Sequence, residues 1–349
     1  MKGLISSGVI MKRTINKVDI NGFLAELLQN YTVYAPAKVA DYVTFREIAA
    51  PEEVVWDCLV TRKPPKDVFL PQTEVLFNYS QSEDGLRLQS TEAVDRKRIL
   101  WGVRPCDVQA VLVQDTVFDT EKDRDIYYAN KREKTTIVGI GCNQPLSTCF
   151  CTGVGGEPFG RDGVDLFLTD IGESYLAEAL TDKGKKLLKS GDFHKATQSD
   201  EKAARAAEKA AVARLPKPIS IKTIQQRLNE LVASPFWDEV QATCIGCGVC
   251  TLLCPVCHCF DIVDEGTGAC GQRVRNWDTC QYCIYSLEAS GHNPRPSGRE
   301  RVRQRLMHKF DYYLVNQGVL GCVGCGRCVQ LCPVNLDIRQ VVDQIGAAK

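Results

Sequence analysis

The sequence C-V-G-C-G-R-C-V-Q-L-C-P occupies residues 322–333 of this 349-residue chain. A nearly identical sequence, C-I-G-C-G-V-C-T-L-L-C-P, occupies residues 244–255. In both stretches the cysteines follow the spacing C-x2-C-x2-C-x3-C-P. Three of the thiolates then lie on one tight loop and can bind three irons of a single cubane, and the fourth begins a helix that leads away. The doubled spacing predicts two 4Fe-4S clusters.

The spacing also predicts which cysteines share a cluster, because in two-cluster ferredoxins the fourth cysteine of each motif binds the other cluster. The first cluster is expected on Cys244, Cys247, Cys250 and Cys332. The second is expected on Cys322, Cys325, Cys328 and Cys254. Four glycines suit loops whose backbone approaches a cluster closely: Gly246, Gly248, Gly324 and Gly326.

A structural zinc protein without a redox role is the alternative, because paired C-x2-C units also form tetrahedral zinc sites. Four thiolates are normally enough for zinc, whereas this chain repeats the whole ferredoxin signature. The doubled motif therefore favours iron–sulfur clusters.

Composition and charge argue against several other classes of protein. Lysine plus arginine and aspartate plus glutamate both total 43, so the net charge is zero and no overall field attracts nucleic acid. Eighteen cysteines would indicate disulfides in a small secreted protein, but this chain is long and its first residues, 1–17, do not form a convincing signal peptide. No apolar run approaches the length of a membrane span. We therefore expect a cytoplasmic protein whose cysteines are kept as metal ligands.

Three short apolar runs predict strands of an α/β domain. K-R-I-L-W-G-V, T-T-I-V-G-I and V-D-L-F-L-T-D occupy residues 97–103, 135–140 and 164–170. Asp107 is expected to cap the helix that follows the first run. If the strands are parallel, their carboxyl ends share one edge of the sheet, where open α/β folds bind ligands.

Four cysteines follow the first two of these strands: Cys106, Cys142, Cys149 and Cys151. At a shared sheet edge they would converge, and four convergent thiolates are enough for a third 4Fe-4S cluster. The alternative is that they are separate cysteines buried in the core.

The sequence divides into three parts. We expect an α/β domain over residues 1–190, a helical linker over 191–235 and a mainly α-helical, ferredoxin-like dicluster domain over 236–349. The segment S-Y-L-A-E-A-L at 174–180 is expected to be helical. The alanine-rich segment 201–215 is expected to form a solvated helix that bridges the domains.

A 67-residue segment, 255–321, separates the two ferredoxin motifs. It carries five further cysteines: Cys257, Cys259, Cys270, Cys280 and Cys283. Three interpretations stay open: another metal site on Cys257, Cys259, Cys280 and Cys283, redox-active thiols of a thiol/disulfide or sulfur-reducing enzyme, or packing near the clusters. The basic stretch 290–310 in the same segment, helical in its second half, would offset the negative charge of the clusters or dock a partner.

Several motifs together resemble those of a known family. They are W-G-V-R-P-C-D at 101–107, G-C-N-Q-P-L-S-T-C-F-C-T at 141–152, C-P-V-C-H-C-F-D at 254–261, W-D-T-C at 277–280 and the two ferredoxin motifs. Through these motifs the chain resembles two groups of iron–sulfur electron-transfer subunits: the A subunit of anaerobic sulfite reductase and the beta subunit of sulfhydrogenase-type NiFe hydrogenases. The likeness covers most of the chain.

The resemblance implies a non-catalytic subunit of a larger, hetero-oligomeric oxidoreductase. Such a subunit carries electrons between a flavin subunit that exchanges hydride with NAD(P)H and a catalytic subunit, which is a siroheme sulfite reductase or a NiFe hydrogenase. It also favours the ligand role of Cys106, Cys142, Cys149 and Cys151. Cys270, Cys283 and the alanine-rich helix depart from the family pattern, which leaves the chemistry of the 255–321 segment open.

Overall fold

The computed structural model of the protein describes residues 10–91 and 96–348. Residues 1–9, which include much of the stretch considered for a signal peptide, lie outside it. The strands are β1 (Met11–Asn16), β2 (Thr32–Val39), β3 (Tyr42–Glu47), β4 (Thr73–Ser82), β5 (Gly85–Ser90), β6 (Arg98–Val103), β7 (Thr135–Ile140), β8 (Leu166–Asp170), β9 (Ser174–Ala179), β10 (His194–Lys195), β11 (Phe260–Thr267) and β12 (Cys270–Trp277). The α-helices are α1 (Ile20–Asn30), α2 (Pro105–Phe118), α3 (Ile126–Lys134), α4 (Asp182–Ser190), α5 (Gln198–Arg214), α6 (Ile224–Glu230), α7 (Phe236–Ala242), α8 (Val249–Leu252), α9 (Gly298–Met307), α10 (Tyr313–Gln317), α11 (Arg327–Gln330) and α12 (Ile338–Ala347).

The larger sheet has eight strands in the order β10-β1-β9-β8-β7-β6-β2-β3. The central strands of this sheet are parallel. β6 pairs in parallel with β2 and with β7, and β7 pairs in parallel with β8. Nearly every residue of β6 and β7 is buried, as expected for parallel strands that are covered on both faces. The three strands predicted from the apolar runs are thus parallel neighbours, and their carboxyl ends share one edge.

Helices cover both faces of this sheet. On one face Leu24 of α1 and Leu187 of α4 share a buried core with Trp101 of β6. On the other face Val111 of α2 and Ala211 of α5 belong to a second core. The N-terminal region is therefore a layered α/β structure, as expected.

The prediction of a helix over residues 174–180 is wrong. This segment forms β9, which lies between β1 and β8 and pairs antiparallel with both. Leucine, alanine and glutamate favour a helix locally, but a weak local preference yields to strand pairing on both sides. Leu176 and Ala177 are buried within the sheet.

The alanine-rich segment is helical, as expected, but it is not fully solvated. α5 lies against β8 and β9, with Ala204 and Ala211 buried on its inner face. Lys12 of β1 also donates to Glu201 at 2.7 Å. α5 thus covers the larger sheet. The division of the chain into an α/β domain, a linker and a dicluster domain, with boundaries near residues 190 and 235, stays a prediction.

A second, four-stranded sheet joins the two ends of the chain, in the order β11-β12-β4-β5. β11 and β12 form a hairpin within the 255–321 segment, and β12 pairs antiparallel with β4 of the N-terminal region. Arg275 of β12 is only 3% exposed and pairs with Glu74 of β4 and with Asp125. The C-terminal region is therefore not uniformly helical.

The short C-terminal helices enclose a core of their own. Leu228 of α6, Trp237 of α7 and Val342 of α12 are completely buried there. The motif cysteines Cys244 and Cys322 pack against this core, so the helices support the two ferredoxin loops. No helix in the described part of the chain is both long and apolar enough to span a membrane.

Candidate iron–sulfur sites

The four N-terminal cysteines surround a single enclosed cavity at the carboxyl edge of the larger sheet. Cys106 lies in the first turn of α2, directly after β6, and Cys142 follows β7. Cys149 and Cys151 lie on the loop that continues from Cys142, and both are buried. Strand ends bring these thiols together, as the sequence predicted.

The chemistry of this cavity suits bound metal. Burial raises the pKa of the Cys149 and Cys151 thiols to about 11, because a bare thiolate is poorly solvated there. Bound iron would compensate the negative charge of the thiolates. A thiol that coordinates a metal is therefore deprotonated despite its burial. Four thiols around one cavity match the ligand set of a 4Fe-4S cluster.

The second ferredoxin loop forms one wall of the same cavity, through Gly324 and Cys325. The Phe150 N–H donates to Gly324 O at 2.9 Å, and Cys149 Sγ lies 3.8 Å from Cys325 O. A Cβ atom on Gly324 would lie 2.5 Å from the backbone nitrogen of Cys151. The loops 148–151 and 322–328 are therefore in direct backbone contact, which only glycine at position 324 permits.

Asp107 does not cap α2, contrary to the sequence prediction. Arg104 occupies the N-cap position and Pro105 the first turn. The Asp107 carboxylate instead accepts two hydrogen bonds from the Arg327 guanidinium, at 2.6 and 2.8 Å, and both side chains are at most 2% exposed. Arg327 also donates to Thr61 O at 2.8 Å. A charged residue of the second ferredoxin motif is thus anchored beside Cys106.

The two ferredoxin loops have matching backbone geometry. The motif glycines all have positive φ, at 68° and 74° for Gly246 and Gly248 and at 64° and 77° for Gly324 and Gly326. A short helix follows each loop, and these helices, α8 and α11, pack against each other. This repeated geometry is what a pair of ferredoxin-type cluster loops requires.

The structure groups the motif cysteines in a way that suits shared clusters. Cys254 lies close enough to Cys322, Cys325 and Cys328 to interact electrostatically with each. Cys250 interacts in the same way with Cys244 and Cys247. Cys332 follows α11, and its Sγ accepts the Leu336 N–H at 3.2 Å.

Two buried cations lie among these cysteines. Lys309 Nζ is 3.2 Å from Cys254 Sγ, 3.6 Å from Cys257 Sγ and 3.0 Å from Gly321 O. Arg305 is 6% exposed, and its Nε has no hydrogen-bond partner. Over residues 10–91 and 96–348, no carboxylate forms an ion pair with either cation. An uncompensated buried charge is costly, so the site fits an anionic group such as a thiolate-bound cluster.

The cysteines of the 255–321 segment separate into two groups. Cys257, Cys259 and Cys280 line a second enclosed cavity. Cys270 and Cys283 are exposed. Of the four cysteines considered for a further metal site, the structure therefore brings three together and leaves Cys283 outside.

The described residues contain no group of three or more histidine, cysteine or carboxylate side chains that could hold a single metal ion. This holds for the two ferredoxin loops as well as for the other cysteines. In a cluster each thiolate binds a different iron, so its ligands are spaced more widely than those of one ion.

Comparison with known proteins agrees with this geometry. The 4Fe-4S dicluster domain family matches residues 243–336. Over 330 residues the chain is 30% identical to sulfhydrogenase 2 subunit beta of Pyrococcus furiosus, an alignment that covers 93% of this chain and 95% of that protein. The chain belongs to the sulfhydrogenase beta-subunit family. The resemblance seen in the sequence motifs is thereby confirmed.

As a member of the sulfhydrogenase beta-subunit family with a 4Fe-4S dicluster domain, the chain is an iron–sulfur electron-transfer protein of the oxidoreductase class. Sequence reasoning missed Arg327 and its ion pair with Asp107. It did expect the basic stretch 290–310, which contains Arg305 and Lys309, to offset the charge of the clusters or to dock a partner. For Arg327 the only signal was an arginine inside the cysteine motif.

Proposed function

We propose that this chain relays single electrons between a flavin-containing, NAD(P)H-linked partner subunit and a catalytic redox subunit of a hetero-oligomeric complex. The observation that carries the proposal is the contact between loops 148–151 and 322–328. It makes the N-terminal cysteine set and the dicluster domain neighbours, with no intervening layer of protein. The beta-subunit name of the relative supports membership of a complex.

The proposed cofactors are three 4Fe-4S clusters, which supply one-electron carriers when bound. The N-terminal one would be held by Cys106, Cys142, Cys149 and Cys151. The electrostatic interaction of Cys254 with Cys322, Cys325 and Cys328 supports the crossed assignment, in which Cys332 completes the set Cys244, Cys247 and Cys250.

Two places on the surface suit the exchange of electrons with partners. At the first ferredoxin loop Cys247 is exposed and the neighbouring Ile245 is 66% exposed. At the other end a groove beside Cys106 and Cys151 opens between α2 and residues 319–323. We propose that these are the two ends of the relay. All eighteen cysteines lie in the described residues and none of them forms a disulfide, which fits a reducing compartment.

The function is tested by following cluster reduction by NAD(P)H in anaerobic protein with optical and EPR spectroscopy. The native complex, purified with its partner subunits, should show rapid reduction of the clusters of this chain. The isolated chain should be reduced by dithionite but only slowly by NAD(P)H. Equally rapid NAD(P)H reduction of the isolated chain would overturn the relay role.

A further inference from the structure

A cavity of about 400 Å³ lies at the amino edge of the larger sheet, opposite the carboxyl edge that carries the N-terminal cysteines. Thr32 and Arg98, the first residues of the neighbouring strands β2 and β6, line it. None of the described residues in its wall is a cysteine. The cavity is therefore separate from the proposed cluster sites.

The guanidinium of Arg98 is buried in this wall without a counter-charge. Arg98 is 6% exposed, and its Nη1 is buried and has no hydrogen-bond partner. Its Cζ lies over the ring of Tyr34, 4.6 Å from the centroid. Within residues 10–91 and 96–348 no carboxylate forms an ion pair with Arg98. A buried charge without a partner is costly, so the cavity favours an anion.

A second cation of the cavity takes up the nearest buried carboxylate. Lys131 of α3 pairs with one oxygen of Glu74, and the other oxygen of Glu74 pairs with Arg275. Both oxygens of this carboxylate therefore bind cations other than Arg98.

Two carboxylates line the cavity itself, and neither pairs with Arg98. Asp67 Oδ2 pairs with Lys63, whereas Asp67 Oδ1 is buried and has no hydrogen-bond partner. Glu47 is exposed. Leaving a buried acceptor unsatisfied costs free energy, so Asp67 Oδ1 suits a hydroxyl donor on a bound molecule.

The size and the apolar side of the cavity suit an organic molecule. Phe45, Val68 and Pro71 line it beside the charged groups. Its volume falls within the range of about 300–1,000 Å³ that is typical of small-molecule sites. The planar guanidinium of an arginine can donate to two oxygens of one carboxylate or phosphate group.

We propose that this cavity binds a small hydroxylated organic anion, whose carboxylate or phosphate group pairs with Arg98 and whose hydroxyl donates to Asp67 Oδ1. Such a binding site goes beyond the electron relay. It uses none of the cysteines, so this proposal and the relay can fail separately.

Isothermal titration calorimetry of the anaerobic holoprotein tests the site with three probes: ribose 5-phosphate, ribonate and ribose. They share a five-carbon hydroxylated skeleton and carry a phosphate, a carboxylate and no charge. We expect an anion to bind and ribose not to bind, and the tighter of the two anions identifies the head group. Absence of binding by both anions at millimolar concentration, or equal binding of ribose, would overturn the proposal.

Arg98→Met separates a binding role from a structural one. Loss of the charged hydrogen-bond donors should weaken binding of the anion by roughly ten- to a hundredfold. Without the anion, the apparent Tm should not fall below that of the wild type, because methionine removes a buried cation that lacks a counter-charge. Arg273→Met is the matched control: it alters an exposed arginine that pairs with Asp264, and it should bind the anion as the wild type does.

Unchanged affinity in Arg98→Met would contradict the proposal. If that variant does not fold, Arg98→Lys decides, because lysine keeps the charge but lacks the planar pair of donors. Arg98→Lys should bind the anion more weakly than the wild type, and equal affinity would overturn the role of Arg98.

Discussion

The guanidinium of Arg327 and the carboxylate of Asp107 form a buried, bidentate ion pair at 2.6 and 2.8 Å. Arg327 belongs to the second ferredoxin motif, and Asp107 follows Cys106 of the N-terminal set. The pair spans 220 residues of sequence. It fixes one proposed cluster loop relative to another, which a relay of electrons requires.

Arg327→Ala is expected to destabilise the protein by roughly 3–5 kcal/mol, because it leaves the Asp107 carboxylate buried without its partner. The denaturant midpoint and the apparent Tm of anaerobic holoprotein measure the effect. Arg273→Ala is the matched control, since it removes an exposed pair with Asp264 and should cost little. Similar losses in the two variants would show that the buried pair has no special role.

Gly326→Ala should disturb the contact between the N-terminal loop and the second ferredoxin loop. Its Cβ would lie 2.6 Å from Thr148 O, at a residue with a φ of 77°. Gly318→Ala provides the control, because Gly318 has a similar φ of 69° but nothing within 4 Å of the added Cβ. We expect reduced iron content in the first variant and normal content in the second. Equal iron content would mean that the loop contact is not needed for cluster assembly.

Lys309→Met should lower the reduction potential of the second ferredoxin cluster. A buried cation stabilises the reduced, more negative state, so its loss shifts the potential downward by on the order of 60 mV, or about 1.4 kcal/mol for one electron. Redox titration followed by EPR measures the shift. Lys309→Arg keeps the charge and should leave the potential nearly unchanged. A potential unaffected by the methionine would place the cation too far from the cluster to matter.

Cys332→Ser tests the crossed assignment. The cluster of the upstream loop, on Cys244, Cys247 and Cys250, should be damaged or converted to a three-iron form, because it loses its fourth thiolate. The cluster next to Cys332 in sequence should survive. EPR spectra of the variant, compared with Cys254→Ser, distinguish the two signals. Loss of the neighbouring cluster, with the upstream one intact, would disprove crossing.

Short apolar runs and cysteine spacing in the sequence were enough to predict the central strands and the cysteine-rich loops. The apolar runs became β6, β7 and β8, and the convergence of Cys106, Cys142, Cys149 and Cys151 followed from their shared sheet edge. The doubled cysteine spacing located both ferredoxin loops.

Interactions between distant segments were not predictable in this way. β9 has the composition of a helix, and only its pairing with β1 and β8 makes it a strand. The β12–β4 pairing joins residues about 200 positions apart, such as Asn276 and Thr73. Asp107 was expected to cap a helix because nothing near it in sequence indicated Arg327. Each of these outcomes depends on tertiary contacts that override a local preference.

The proposed relay depends on a third cluster, on the N-terminal cysteines, beside the dicluster domain. EPR of the dithionite-reduced anaerobic protein tests it most directly, by comparing wild type with Cys149→Ser/Cys151→Ser. We predict that the variant loses one spectral species and the magnetic broadening that a neighbouring cluster imposes on the ferredoxin signals. An unchanged spectrum at unchanged iron content would show that Cys149 and Cys151 hold no cluster.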